Sequence, residues 1–365
     1  MIRILHAADL HLDSPFEGLP SELAALRRGE QRALLGKLTG LARENDVQLV
    51  LLSGDLFDSD CTYAQTGQSL LQALEDFQVP VFIAPGNHDF YSRRSRYAQL
   101  PLPGNVHLFT EPELGCVELP DLHCRVWGAG FQDKSCPPLL RGFSPPKQAG
   151  VTDLLCLHGE VGNPNSDYNP ISESELAASG MDYAALGHVH AFSGARRAGN
   201  CTYAWPGCPE GRGFDETGEK GVILADVGPG DAKIQFVPLG GRKYEILTVD
   251  ADVPDLAEAI RARLPGQTQQ DTYRIVLTGE RDQAPDLAAL HRELEGLFFR
   301  LQLRDHTRLR RNLWERAEED SLRGVFLRKL REKYAAAQTE AEQELITQAA
   351  RWGLAALDNG EEVRT

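Results

Sequence analysis

The sequence predicts an α/β fold: a sandwich built on mixed β-sheet with helices outside, followed by a small α/β unit and a helical tail. Three observations carry this. Strand-like and helix-like segments alternate through the first 240 residues. The turn Gly228-Pro229-Gly230-Asp231 joins two late apolar runs as a hairpin. A second, shorter alternation follows over residues 244–304. Alternation early and hairpins late point to a mixed sheet rather than a purely parallel one.

Taken in order, Arg3 to Ala7 is a short apolar strand and Ser21 to Asn45 a helical stretch. Val47 to Leu52, apolar but for Gln48, reads as a strand buried on both faces. A helix from Ala64 to Phe77 leads into the strand Val79 to Ala84. Further strands are expected at 106–109, 115–119, 124–129, 152–158 and 182–187. Lys220 to Val227 and Ala232 to Leu239 flank the hairpin turn. A boundary falls at Leu239-Gly240-Gly241-Arg242, so residues 1–240 read as one domain. Strand 244–249, helix 253–263, strand 272–279, helix 285–296 and strand 298–304 then form a βαβαβ unit within a domain of residues 244–312. Residues 316–358 read as a helical tail. It carries two apolar stripes at helical spacing: Leu322, Val325, Phe326, Leu330 and Tyr334, then Leu345, Ala349, Trp352 and Ala356.

Composition narrows the class. The chain has 365 residues, 42% hydrophobic and 25% charged, enough for a sizeable core in about two to three domains. That excludes disorder as the main state. No apolar run is long enough to cross a bilayer, and Asp9 interrupts the first one, so no membrane span or signal peptide is expected and the expected location is cytoplasmic. Seven scattered cysteines without a C-x-x-C pair read as reduced, mostly buried thiols. The net charge of −15 has the wrong sign for holding nucleic acid by bulk electrostatics, although bound cations would reverse the local potential. Gly36-Lys37 lacks the pattern of a phosphate-binding loop, with Gln31 in place of the first glycine and Leu38 in place of Ser or Thr.

Five of the ten histidines lie in motifs that end expected strands. Asp9-Leu10-His11 follows the first, Gly54-Asp55-Leu56-Phe57-Asp58 the second and Pro85-Gly86-Asn87-His88-Asp89 the third. Leu157-His158-Gly159 follows the strand at 152, and Gly187-His188-Val189-His190 the strand at 182. Ligands collect at the carboxyl ends of strands in open α/β sheets, so these motifs are expected to converge on one edge. In extended chain, residues i and i+2 share a side, which would point Asp9 with His11 and His188 with His190. A donor set of carboxylate, imidazole and amide suits manganese, iron or zinc. Singly, each histidine also reads as a hydrogen-bonded turn residue. Together they do not.

In these motifs the chain resembles the calcineurin-like metallophosphoesterases over residues 1–240. The resemblance implies a four-layered β-sandwich flanked by helices, with two divalent metal ions bridged by a carboxylate. Carried over by motif, Asp9, His11, Asp55 and His190 would bind one ion, and Asp55, Asn87, His158 and His188 the other. Such a pair generates a hydroxide nucleophile at neutral pH and stabilises the in-line transition state. His88, beside Asn87 but assigned to no ion, is the candidate proton donor for the leaving oxygen. Asp89 is its expected orienting partner, with a purely structural role as the alternative.

The segment from Tyr203 to Phe214 resembles the loop after the GHxH motif in the SbcD-type DNA repair exonucleases, including the YhaO-like branch. Trp205 and Cys208 depart modestly from it. The βαβαβ unit resembles that family's capping domain in order and size. This implies DNA as substrate, an SMC-like coiled-coil ATPase as partner of the tail, with packing on the chain's own cap as the equal alternative, and dimerisation through the phosphoesterase domain. Arg300 and Arg304 on the last cap strand, with Arg308, Arg310 and Arg311 after it, and Arg93, Arg94 and Arg96 after the GNHD motif, are candidate phosphate contacts or ordinary solvated faces. Phe299, Leu301 and Leu303 are expected on the core face of that strand. Two rivals stay open: a phosphatase or phosphodiesterase for a small molecule or protein, which the acidic charge favours, and an ATPase-anchoring scaffold, which the intact motifs oppose.

Overall fold

The computed structural model describes residues 1–59, 62–281, 283–309 and 313–357. The short apolar runs become strands buried on both faces. In the first sheet β1 (Ile2–Ala7), β2 (Leu49–Leu52), β3 (Val81–Ile83) and β4 (Val106–Leu108) run parallel and adjacent. The hairpin β13 (Gly221–Gly228) and β14 (Asp231–Pro238) extends it antiparallel from β1. The second sheet runs β11 (Arg196–Ala198), β12 (Cys201–Ala204), β10 (Tyr183–Gly187), β7 (Thr152–His158), β6 (Cys124–Gly128), β5 (Gly115–Leu119). Its four central strands are parallel and both edge pairings antiparallel. Two short strands, β8 (Glu160–Val161) and β9 (Pro170–Ile171), pair in the loop after β7. The expected strands form with ends shifted by up to two residues.

Alternation along each strand builds the layers. Ile4, Leu49, Leu51 and Phe82 of the first sheet meet Val126, Leu154, Cys156 and Tyr183 of the second. Their neighbours Leu5, Val50 and Leu52 face outward to α1 (Ser21–Glu44) and α2 (Ala64–Asp76), against Leu34, Leu38, Leu70 and Leu74. Leu155, Leu157, Ala184 and Leu186 turn the other way, to Leu176 of α4 (Glu173–Ser179) and to Trp205. Helices, sheet, sheet and helix-with-loops make four layers. Burying each such aliphatic side chain stabilises the fold by roughly 1.5–3 kcal/mol. A four-residue turn of helix, α3 (Arg96–Gln99), follows the third motif.

Two buried polar ties fix the layers. His6 bridges the sheets: its Nε2 donates to the Leu186 carbonyl at 3.2 Å, leaving Nδ1 to accept from the Tyr183 hydroxyl at 2.9 Å. Burial pushes this imidazole down to about 3, so it is neutral. Arg27 of α1 is 1% exposed and pairs with Glu210 and Glu30. A buried charge persists only when paired in this way.

The chain divides into two compact units. One comprises Met1–Ile246, Thr268–Arg274 and Phe298–Arg300; the other Leu247–Gln267, Ile275–Leu297 and the residues from Leu301 onward. The βαβαβ pattern forms as β15 (Tyr244–Asp250), α5 (Leu256–Arg261), β16 (Thr272–Thr278), α6 (Leu287–Leu294) and β18 (Arg300–Asp305), with sheet order β15-β16-β18. β17 (Glu280–Arg281) pairs with β19 (Arg308–Leu309). Both helices start later than their pattern suggests because Asp255 and Asp286 act as N-caps, accepting from Glu258 N and Ala289 N. On β18, Leu301 is buried while Leu303 is only half-buried, as is Phe299 just before the strand. Arg310 and Arg311 lie outside the described residues.

The tail corrects the sequence reading. α7 (Leu322–Ala336) and α8 (Glu340–Leu357) pack on each other through Phe326, Leu327, Leu330, Ala350 and Leu354. The expected stripes therefore split. Phe326 and Leu330 turn inward, whereas Leu322, Val325, Leu345 and Trp352 are exposed, Leu322 at 72% and Trp352 at 52%. Adjacent helix faces are both apolar here, so spacing alone picked the outer one on α8.

The two sheets meet closely at their carboxyl ends because Gly187 lacks a side chain. A Cβ there would lie 1.9 Å from the Ser53 carbonyl oxygen and 2.8 Å from His158 Nδ1. Gly187→Ala is expected to cost about 1–3 kcal/mol through overpacking, measured by denaturant unfolding. Gly104→Ala, with open space around it, is the control and should leave the midpoint unchanged.

Candidate metal centre

β1, β2 and β3 are neighbours in one sheet and β7 and β10 in the other, so all five motif loops leave the same sheet edges. Backbone bonds then lace the loops together. Asp9 N donates to Gly54 O at 3.0 Å and His11 N to Asp55 O at 2.9 Å. Gly159 N donates to Gly187 O at 3.1 Å. Trp205, which departs from the family pattern, spans that last pair, its Nε1 donating to both Gly159 O and Gly187 O at 3.1 Å. Across the sheets, His188 N donates to the Asp9 carboxylate at 3.0 and 3.1 Å.

Extended chain is not what points Asp9 with His11 or His188 with His190. Asp9, His11, Asp55 and His188 all have positive φ, at 54°, 43°, 51° and 104°. These pairs converge through left-handed turns just beyond the strand ends, not through strand alternation. Such conformations cost energy in non-glycine residues and persist where surroundings enforce them.

The side chains form two adjoining sets. His11 Nε2 and His190 Nε2 approach to 3.2 Å, with Asp9 Oδ1 3.8 Å from His190 Nε2. His158 Nε2 lies 3.0 Å from Asn87 Oδ1 and 3.4 Å from Asp55 Oδ2, and the His188 ring stands 5.2 Å from the His158 ring. Asp55 belongs to both: its Oδ2 is also 3.8 Å from His11 Nε2. Asp9, His11 and His190 form one group of donor atoms within ion-holding reach of one another, and Asp9, Asp55 and His158 another. His158 Nδ1 donates to Ser53 O at 2.9 Å, which turns its Nε2 toward the other donors. Gly86 completes the cradle, since a Cβ there would fall 2.3 Å from Asp55 Oδ1. Convergent imidazole nitrogens, two carboxylates and an amide oxygen with no thiolate are a donor set that fits divalent cations.

The protein's own charges respond to this crowding. Burial alone would raise Asp55, but the His158 imidazole beside it holds its carboxyl well below the usual range. Burial would lower His158, and the Asp55 charge instead carries it to about 9. Burial pushes Asp9 up to about 6, and drives His11 and His188 down to about 4, where they are neutral donors.

Asp89 does not touch the His88 ring. Its carboxylate accepts from the backbone N–H of Gly86, Asp55, Leu56 and Phe57 and from the Tyr97 hydroxyl at 2.5 Å. Five donors leave no lone pair for an imidazole, so Asp89 clamps the second motif loop onto the third. His88 is exposed, and its ring is held by a backbone carbonyl: Nδ1 donates to Asp58 O at 2.9 Å. Its N–H donates to Asp55 Oδ1 at 2.9 Å.

Sequence reading missed Glu216, which accepts from His190 Nδ1 at 2.7 Å, and assigned no role to Asp58, whose Oδ1 lies 3.2 Å from His11 Nδ1. Only the repeated carboxylate at the end of the GDLFD motif hinted at the second. Arg93 and Arg94 are exposed in the turn before α3, Arg300 is half-buried near Tyr244, and Arg304 is exposed on β18.

Comparison with known proteins agrees with this geometry. A calcineurin-like phosphoesterase family model matches residues 2–192. The chain is 30% identical to the uncharacterized metallophosphoesterase YhaO of Bacillus subtilis, over 74% of this chain and 67% of that one. It is 26% identical to the D subunit of the nuclease SbcCD from the same organism, over 63% and 67% of the two chains. It is 23% identical to the DNA double-strand break repair protein Mre11 of Saccharolobus solfataricus, over 77% and 76%. A motif set that gathers at one sheet edge, and a family match across more than half of the chain, lead to one statement: this chain belongs to the calcineurin-like phosphoesterase family and is a metal-dependent phosphoesterase.

Proposed function

We propose that the protein is a two-metal DNA phosphodiesterase acting at DNA breaks. The observation that carries the two-metal reading is Asp55, whose one carboxylate oxygen lies within 3.4 and 3.8 Å of imidazoles from both donor sets. In this reading Asp9, His11, Asp55 and His190 hold one ion, Asp55, Asn87, His158 and His188 the other, and the physiological ion is manganese. Two bound divalent ions supply water activation at neutral pH and neutralise charge on the phosphoryl oxygens. His88 supplies the remaining group: with Nδ1–H on Asp58 O, its Nε2–H is the proton donor for the leaving oxygen. The relatives named as part of a nuclease and as a break-repair protein support DNA as substrate.

Residues 1–240 would then be the nuclease domain, 244–312 a cap and 316–358 a helical docking element. The exposed Leu322, Val325, Leu345 and Trp352 suit the apolar seam of a coiled-coil ATPase. A net charge of −15 favours a second reading, a phosphatase or phosphodiesterase for a small molecule.

Incubation with manganese and, separately, single-stranded DNA, duplex DNA and an aryl phosphate ester decides between the two. The nuclease reading expects DNA cleavage at rates well above hydrolysis of the ester; cleavage of the ester alone selects the second reading. His88→Ala should keep both ions and lose roughly 10²–10⁴-fold in rate. Metal loss in that variant would make His88 a ligand instead of the proton donor. Trp352→Glu with Leu345→Glu should abolish co-purification with a coiled-coil ATPase and leave DNA hydrolysis intact. Retained binding would place the docking surface elsewhere.

A further inference from the structure

Around the first donor set lies a second ring of charged groups that the reaction itself does not use. Arg212, in the loop after β12, lies between two carboxylates. Its Nη1 donates to Asp58 Oδ1 at 3.0 Å, and its Nη2 to Glu216 Oε1 at 2.6 Å. Ser14 Oγ adds a bond to Asp58 Oδ1 at 2.9 Å. Each carboxylate in turn faces one histidine of the same set. Glu216 Oε1 is 2.7 Å from His190 Nδ1, and Asp58 Oδ1 is 3.2 Å from His11 Nδ1. Glu216 is only 3% exposed, so its charge is held in place and not lost to solvent.

The consequence is a matter of tautomers. A carboxylate can only accept, so Glu216, hydrogen-bonded to His190, selects its Nδ1–H form and leaves Nε2 as the lone pair; Asp58 favours the same form of His11 through its charge 3.2 Å from Nδ1, without hydrogen-bond geometry. The two Nε2 atoms that result are those 3.2 Å apart at the centre of the first set. Arg212 Nη2 also lies 3.2 Å from His190 Nδ1, but both are then donors sharing Glu216, which fixes the ring between them. The second set is oriented by different means. Its His158 is held by the Ser53 carbonyl, and the His188 ring packs against the Tyr168 ring at 4.8 Å.

We propose that Asp58 and Glu216, joined through Arg212, are positioning residues dedicated to one of the two metal positions: they fix His11 and His190 for the same ion and do not act on the other. This rests on the two-metal reading above. Arginine is required at the junction because its planar fork engages both carboxylates at once, which a lysine ammonium on one stem cannot do. Outer groups of this kind typically change metal affinity by roughly 10–100-fold when removed.

The test is a manganese titration of metal-free full-length protein by calorimetry, with Asn87→Ala marking the second position. Asp58→Asn and Glu216→Gln, which preserve side-chain volume, should each weaken the same binding event roughly 10–100-fold, and that event should be the one Asn87→Ala leaves unchanged. Arg212→Lys, which keeps the charge, should weaken it too. DNA hydrolysis should return at saturating manganese. Affinities within about twofold of the parent protein, equal weakening of both events, or weakening of the event that Asn87→Ala removes would each overturn the proposal. A parent protein that binds two ions and shows the selective losses yet cleaves no DNA would sink the nuclease reading and leave this assignment standing.

Discussion

Everything at the site depends on one buried carboxylate. Asp55 is 1% exposed, carries a left-handed backbone and sits where the edges of two sheets meet. Its charge stands against His158 from one sheet and His11 from the other. A charge in that position is tolerated only with opposite charges around it. The protein supplies one of them through the His158 imidazole, and two divalent ions would supply the rest. The five motifs are spaced as they are because each strand must deliver its loop to this point.

The surroundings are built to keep that carboxylate in place. Asp89 collects four backbone N–H groups and the Tyr97 hydroxyl, so the loops after β2 and β3 are fixed from beneath. Gly86 and Gly187 remove the side chains that would keep those loops and the two sheets apart. Outside this cradle, Arg212 ties Asp58 and Glu216 into a single unit. The arrangement moves outward from the convergent donor atoms: the side chains that carry them, then the groups bonded to those side chains, then the glycines and apolar strands that set the distances. His88 lies at the exposed rim, its ring Nδ1 on the Asp58 carbonyl and its ring 4.7 Å from that of His11.

Much of this is legible in the sequence. Apolar runs such as Leu49 to Leu52 admit only a strand buried on both faces, so the sheets and the motif-bearing edges follow directly. What escapes is whatever depends on a partner distant in sequence or on the backbone. No pattern links Glu216 to His190 or Asp58 to His11, because carboxylates that orient a ligand follow no fixed spacing. Asp89 is expected at the His88 ring because it is the neighbouring residue, but its backbone partners outnumber that contact. Alternation places Asp9 and His188 in extended chain, whereas their loops have already left the strand. In the tail, Leu327 and Ala350 form the packed face while the more prominent Leu345 and Trp352 point outward, since two apolar faces at adjacent angles share one periodicity.

The central claim is that Asp55 serves both metal positions. Metal analysis of purified Asp55→Ala protein, reconstituted with manganese and freed of loosely bound ions, tests it most directly. The account predicts that both ions are lost together while the protein remains folded, because a single oxygen, Asp55 Oδ2, faces imidazoles of both donor sets. Retention of two ions per chain at the parent protein's stoichiometry would contradict it.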